Sequence, residues 1–240
     1  MEAMNKKTPS TVVMRVLKKQ NLAGNYWSVW LDGKLDYEAG QYISIKVNDE
    51  GERRSYSLAS YPGEDGLQIV VDVTPMGKGS KYILELKEDD EVEVLGPIGG
   101  LEVAGADLGS ETEGFLFVGT GSGVTPLRSM VFDLLESKKE NRPIRLSWGM
   151  RYEKDLFWTE EFLELQKKYD NFKFDLVLSR PDGRWPHCVG HVEDCLVNHG
   201  LDFSKWQIYL CGNQEMIKEV EIMLREKGVA EEAINFEKFY

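Results

Sequence analysis

The sequence predicts two joined domains: an antiparallel Greek-key β-barrel over residues 1–104 and a doubly wound parallel-sheet α/β domain over residues 105–240. Three observations carry this. Up to residue 104, short segments rich in Val, Ile and Tyr alternate with turn clusters such as Asp32-Gly33 and Pro62-Gly-Glu-Asp-Gly66, the texture of antiparallel strands joined by tight loops. Beyond it the rhythm becomes strand, then helix, several times over, which argues for a parallel sheet with helices on both faces. A glycine-rich string, Gly119-Thr-Gly-Ser-Gly-Val-Thr-Pro126, stands where the first of those strands hands over to a helix.

In the first half the strands read at Thr11–Leu17, Tyr42–Val47, Leu67–Val73 and Glu91–Leu95. One helix interrupts them, capped by Ser80 and running through Leu86, with Tyr82, Ile83 and Leu86 on one face. In the second half the strands are Phe115–Val118, Ile144–Trp148, Phe172–Leu178 and Trp206–Leu210. The helices between and after them are Pro126–Lys138, Thr159–Tyr169, His191–Asn198 and Gln214–Lys227.

Composition narrows the function. With 240 residues, 42% hydrophobic, the chain can bury real cores. A net charge of -12 repels polyanions and excludes nucleic acid as a partner. The longest uncharged stretch, Gly114 to Leu127, is too short and too polar to span a bilayer, and the first ten residues hold no apolar run. No membrane association and a cytoplasmic location are therefore expected. The three cysteines, Cys188, Cys195 and Cys211, are too few for a disulfide scaffold, in keeping with a reducing compartment, and fall short of the four thiolates of an iron–sulfur cluster.

The chemistry concentrates in a few strings. In the glycine-rich loop, Thr120, Gly121 and Gly123 let the backbone approach a pyrophosphate, and Pro126 suits the first turn of the helix whose free N–H groups face it. Arg151 and the pair Ser179-Arg180 follow the next two strands, where an NAD site usually carries a carboxylate. Two cations and a hydroxyl at strand ends suit a 2′-phosphate, favouring NADP over NAD. In the first half, Arg54-Ser-Tyr56-Ser57 offers a cation and an aromatic plane on one strand, with Ser57 facing the other way. Gly77-Lys-Gly79-Ser80 offers a second anion site at a helix start.

Taken in order, Arg54-Ser-Tyr56-Ser57, Gly79-Ser80, Gly96-Pro-Ile-Gly99, Gly119 to Pro126 and Cys211-Gly212-Asn-Gln-Glu-Met216 resemble the ferredoxin–NADP reductase family of flavoproteins over nearly the whole chain. The resemblance implies an FAD-binding barrel, an NADP-binding domain and a flavin at the crevice between them. It gives Arg54 the FAD pyrophosphate, Tyr56 the isoalloxazine face, Ser57 the neighbourhood of flavin N5, and Ser80 an FAD phosphate. Cys211 falls near the nicotinamide C4, and Ser179 and Arg180 at the 2′-phosphate, although NADH-using members carry similar strings. The tail, Asn235-Phe-Glu-Lys-Phe-Tyr240, resembles endings in which an aromatic covers the flavin and a Glu relays protons. Tyr240, or Phe239, takes the first role and Glu237 the second.

The implied reaction is hydride transfer between NADPH and FAD, with one-electron exchange to a ferredoxin or flavodoxin that docks on Arg53, Lys78, Lys81 and Lys87. The alternatives are the reductase component of an oxygenase, a free-flavin reductase, and a non-catalytic flavin-binding subunit that senses redox state or assembles a complex. His191, Cys195 and His199 stand at i, i+4 and i+8, one helix face on which zinc could sit. One helix offers no second clip, so no metal is expected.

Overall fold

A computed structural model describes residues 8–99, 101–103 and 111–238. The expected domain boundary at 104/105 lies outside them. The first sheet holds β1 (Ser10–Ala23), β2 (Tyr26–Leu31), β3 (Tyr42–Lys46), β4 (Arg53–Ser57), β5 (Leu67–Asp72) and β6 (Glu91–Ile98), with helix α1 (Lys78–Glu85) after β5. Its order is β4-β3-β6-β1-β2-β5, antiparallel throughout. A bridge between Leu58 and Ile69, with Ala59 N–H donating to the Gln68 carbonyl at 2.7 Å, joins the two end strands. The sheet thus closes on itself as the predicted barrel. Met14, Val16, Val29, Ile43, Ile45, Ile69 and Val94 fill its interior.

The second sheet is parallel. It holds β7 (Gly114–Thr120), β8 (Ile144–Met150), β9 (Phe172–Leu178), β10 (Cys188–Val189), β11 (Trp206–Gly212) and β12 (Ile234–Lys238), in the order β10-β9-β8-β7-β11-β12. The helices are α2 (Val124–Phe132), α3 (Thr159–Lys168), α4 (Val192–Asn198) and α5 (Gln214–Glu226). Helices α2 and α3 cover one face with Leu127, Met130, Phe162 and Leu165, and α4 and α5 the other with Leu196, Ile217 and Val220. Strand β7 shows why the pattern was readable: Phe115 and Phe117 enter one core, Leu116 and Val118 the other, so a strand covered on both sides reads as an unbroken apolar run.

Two elements differ from expectation. The helix predicted over Pro126–Lys138 starts at Val124 and widens into a π-helical turn over Asp133–Ser137. The tail, for which the sequence suggested no strand, is over Ile234–Lys238 a parallel edge strand paired with β11, Cys211 beside Glu237.

Arg128 of α2 seals the joint between the halves. Only 4% exposed, it donates to the Ala59 carbonyl at 2.8 Å and Glu64 at 3.1 Å from the barrel, and to Glu161 of α3 at 2.6 Å. Burial alone would lower its pKa, but the hydrogen bonds and charges of Glu161 and Glu64 outweigh that and raise it. Ser129, the next residue, donates to the Ser60 carbonyl at 2.6 Å. The helix that follows the glycine-rich loop is therefore bonded to the segment that follows Ser57.

Candidate functional site

In an open parallel sheet, ligands bind where the strand order reverses, outside the carboxyl ends. Here that point lies between β7 and β11, and a cleft of 730 Å³ opens there, within the range of small-molecule sites. Thr120, Gly121, Arg151, Ser179, Gly212 and Met216 line it, all expected from the sequence. Asn25, Tyr26, Asp72 and Thr74 come to the same cleft from the barrel, so both halves build it.

The loop after β7 is drawn tight. Gly121–Gly123 forms one 3-10 turn leading into α2, and a Cβ on Gly123 would stand 2.2 Å from the Cys211 carbonyl oxygen, so no other residue fits. Gly123 and the buried Pro126 consequently shape the loop from behind and do not line the cleft. Trp148 Nε1 donates to the Gly121 carbonyl at 3.0 Å, and Asn213 N–H to Thr120 Oγ1 at 3.1 Å. No acidic side chain occupies the first turn of α2, and Thr125 Oγ1 is buried without a partner among the described residues. A helix start with free donors and a close backbone fits a dinucleotide pyrophosphate. Burial, then Asp72 and Asp155, raise the Tyr26 phenol above its usual pKa, so it stays a hydrogen-bond donor.

Beyond the cleft, Ser179 N–H donates to the Met150 carbonyl at 3.0 Å and Arg180 N–H to the Arg151 carbonyl at 2.9 Å. The two arginines thus stand on adjoining segments, both exposed, and neither has an ion pair among the described residues. Arg151 and Ser179 line the cleft; Arg180 does not. Carboxylates share the space: Asp155, Glu193, Glu215 and Glu219 also line it. Burial, and Glu219 among its neighbours, raise the Glu193 pKa.

A second cradle lies on the barrel, where β4 meets α1. A Cβ on Gly79 would fall 2.5 Å from Tyr56 Oη and 2.9 Å from Arg54 Cγ, so the glycine keeps a gap open between them. Burial pushes the Tyr56 phenol up to about 12, against the lowering charge of Arg54. Ser57 and Ser80 are buried, and Arg54 is exposed. Ser80 is not the helix cap; Gly77 holds that position without a side-chain bond, and Ser80 sits in the first turn. With no acidic residue in that turn, the free N–H groups, Ser80 and Arg54 fit the phosphates of FAD. Of the four cations expected to dock a carrier, Arg53 is paired with Glu93 and Lys78 with Glu52.

Cys211 is fully buried and does not line the cleft. Burial, reinforced by Glu237, holds its thiol well above the ordinary pKa. Burial likewise raises the Glu237 carboxyl, whose Oε2 has no hydrogen-bond partner among the described residues. Tyr240 and Phe239 lie outside the described residues. The expected face of His191, Cys195 and His199 does not assemble: His191 caps α4 and is exposed. Cys195 instead forms a disulfide with Cys188, a single bond that the cysteine count, read as a sign of a reducing compartment, did not lead one to expect. Sequence reasoning missed Tyr26, Trp148 and Arg128. Only Arg128 left a signal, a lone charge in the apolar run Val124 to Val131.

Comparison with known proteins agrees with this geometry. Residues 28–103 match the model of the oxidoreductase FAD-binding domain and residues 117–221 that of the oxidoreductase NAD-binding domain. One component of the Na(+)-translocating NADH-quinone reductase of Pseudoalteromonas atlantica is 34% identical over 214 residues, 82% of this chain and 51% of the relative. Its Neisseria meningitidis counterpart is 34% identical over 220 residues, 85% of this chain and 52% of the relative. The chain therefore spans about half the length of the curated relatives it matches. Among solved structures, the Amycolatopsis cytochrome P450 reductase GcoB superposes with a TM-score of 0.89 at 27% identity, covering 96% of this chain and 70% of that one. The Plasmodium falciparum ferredoxin-NADP+ reductase shares the fold, with a TM-score of 0.79 at 20% identity and coverage of 95% and 96%. The chain is a flavoprotein oxidoreductase with binding domains for FAD and a nicotinamide dinucleotide. It belongs to the ferredoxin reductase family.

Proposed function

We propose that the chain is a reductase that takes hydride from NADPH onto FAD and passes electrons singly to a ferredoxin- or flavodoxin-type protein carrier. The observation that carries this reading is the cleft shared by Thr120, Gly212 and Met216 of the parallel domain and Tyr26 and Asp72 of the barrel. Bound FAD supplies what no side chain here has, acceptance of two electrons together and their release one at a time. Arg54, Gly79 and Ser80 hold its phosphates, Tyr56 packs its ring, and Ser57 offers a hydroxyl at the ring edge. Thr120, Gly121, Gly123 and Pro126 form the pyrophosphate turn for the nicotinamide dinucleotide. Gly212 and Met216 bound the nicotinamide end, the protonated Cys211 thiol backs it, and Glu237 keeps a proton in reserve. Arg151, Ser179 and Arg180 hold the 2′-phosphate. Lys81 and Lys87, the expected docking cations with no carboxylate partner among the described residues, receive an acidic carrier. No helix among the described residues is long and apolar enough to cross a membrane, and the proposed setting is the cytoplasm.

One observation favours a second reading, an NADH-fed reductase. Asp155, Glu193, Glu215 and Glu219 line the cleft, and a carboxylate there suits a ribose 2′-hydroxyl. The relatives named as parts of NADH-quinone reductases fit it as well. Anaerobic stopped-flow mixing of the FAD-loaded protein with each nucleotide decides. Faster flavin bleaching with NADPH supports the first reading, faster bleaching with NADH the second, and bleaching with neither overturns both in favour of a non-catalytic subunit.

A further inference from the structure

Five side chains outside the mechanism cluster beneath α4. Cys188 of β10 is bonded to Cys195 of α4, their Cα atoms 6.0 Å apart. Cys195 Sγ lies 3.6 Å from His199 Nε2, which is 3.1 Å from Asp175 Oδ1. Arg145 in turn donates to both oxygens of Asp175, at 2.7 and 2.6 Å. The two sulfurs differ in access: Cys195 is 3% exposed, and Cys188 is half-buried.

The bond closes a small ring on the cleft wall. Between the cysteines lie six residues, Val189 to Asp194, and Gly190, His191, Val192 and Glu193 of these line the cleft. Strand β10 has only two residues and α4 only seven. Without the bond, the strand's hold on the sheet is its short ladder to Val177 and Leu178 and the Gly190 N–H bond to the Leu178 carbonyl.

We infer that Cys188–Cys195 is a redox-active disulfide that accepts electrons from a dithiol reductant and, by opening, loosens the nicotinamide-dinucleotide cleft. This rests on the proposed role of that cleft. The chemistry is set by the asymmetry of the sulfurs. A thiolate of the reductant attacks the reachable Cys188 Sγ, the Cys188–Cys195 bond breaks, and Cys195 Sγ leaves with the bonding pair. His199 Nε2 faces both that sulfur and Asp175 Oδ1, so a proton carried on Nε2 is shared between the carboxylate and the departing thiolate. The reductant's second thiol then displaces Cys188, closing the reductant's own disulfide. Two electrons, and two protons on neutralisation, pass to the cysteines. Opening the ring gives Gly190 to Glu193 more conformations, which a bound dinucleotide must then suppress, so the open form binds less tightly.

The test uses the full chain loaded with FAD, equilibrated in buffers of reduced and oxidised dithiothreitol. Alkylation read by mass counts the thiols, and calorimetric titration with NADPH and NADH reads affinity. Cys188 and Cys195 should gain two adducts together in one transition, and affinity for the preferred nucleotide should fall by about fivefold or more, the lower end of ordinary coupling between sites. Cys188→Ser should hold the weaker affinity in every buffer. His199→Gln should slow reduction by dithiothreitol roughly threefold or more, as expected of a poorer leaving thiol, without changing the final thiol count. Free thiols at both Cys188 and Cys195 in untreated protein, equal affinity in both redox states, or stoichiometric zinc on Cys188, Cys195 and His199 would each overturn the inference. If neither nucleotide binds in either state, the reading of the cleft fails, and with it the coupling; the thiol count tells that failure from the loss of the disulfide.

Discussion

Arg128 donates to the main-chain carbonyl of Ala59 at 2.8 Å, tying the helix behind the dinucleotide loop to a residue two positions past Ser57. The guanidinium is enclosed by Phe132 and Trp158, 4.4 and 5.1 Å from their ring centres, with carboxylates on either side. Arg128→Met should therefore lower stability by about 2–3 kcal/mol, read from urea midpoints. This is less than the full cost of stranding a buried charge, because Glu64 and Glu161 keep some access to water. Arg128→Lys should recover only part of the loss, since an ammonium cannot serve all three acceptors in one plane.

Gly79 leaves the space in which Tyr56 and Arg54 stand. Gly79→Ala should displace the phenol and weaken FAD retention about tenfold, the value of one hydrogen bond to a charged group. Ultrafiltration of the loaded protein measures it, and an unchanged flavin content would remove the cradle from the flavin site.

Arg180 and Arg151 are joined through their backbones and free of ion pairs among the described residues. Arg180→Ala should raise the KM for NADPH about tenfold and leave that for NADH unchanged, because only the first carries the phosphate that a guanidinium grips. Equal effects on both would remove the 2′-phosphate role.

Glu237 is more protonated in the folded chain than in the unfolded one, because burial raises its carboxyl pKa. The folded state then binds more protons, so this residue's contribution to stability is most favourable below the unfolded carboxylate pKa and declines as pH rises through the folded value. Glu237→Gln should show the higher urea midpoint at pH 8 and lose that advantage towards pH 4. A constant gap across that range would mean that the carboxyl is not perturbed.

Much of this molecule was legible because local patterns and global roles coincide. Phe172–Leu178 is a strand with the bounds expected of it, and the glycine string falls at the end of β7 as a phosphate-binding turn requires. Thr120, Gly121, Arg151, Ser179, Gly212 and Met216 meet in one cleft because each lies at, or within a few residues of, the carboxyl end of a parallel strand of the same sheet. What escaped depends on distant partners. Ile234–Lys238 becomes a strand through pairing with β11, and its short mixed sequence carries no such signal. Tyr26 reaches the cleft because a barrel hairpin happens to face the second domain. The cysteines bond because the chain doubles back between β10 and α4, which their spacing does not announce.

The seam at Arg128 also bears on recombination between reductases. A parallel domain grafted onto another barrel would bring a buried cation two of whose three acceptors, the Ala59 carbonyl and Glu64, belong to the barrel left behind. The halves are therefore not exchangeable cassettes, and a working chimaera has to transfer the segment Ala59 to Glu64 along with the domain that docks on it.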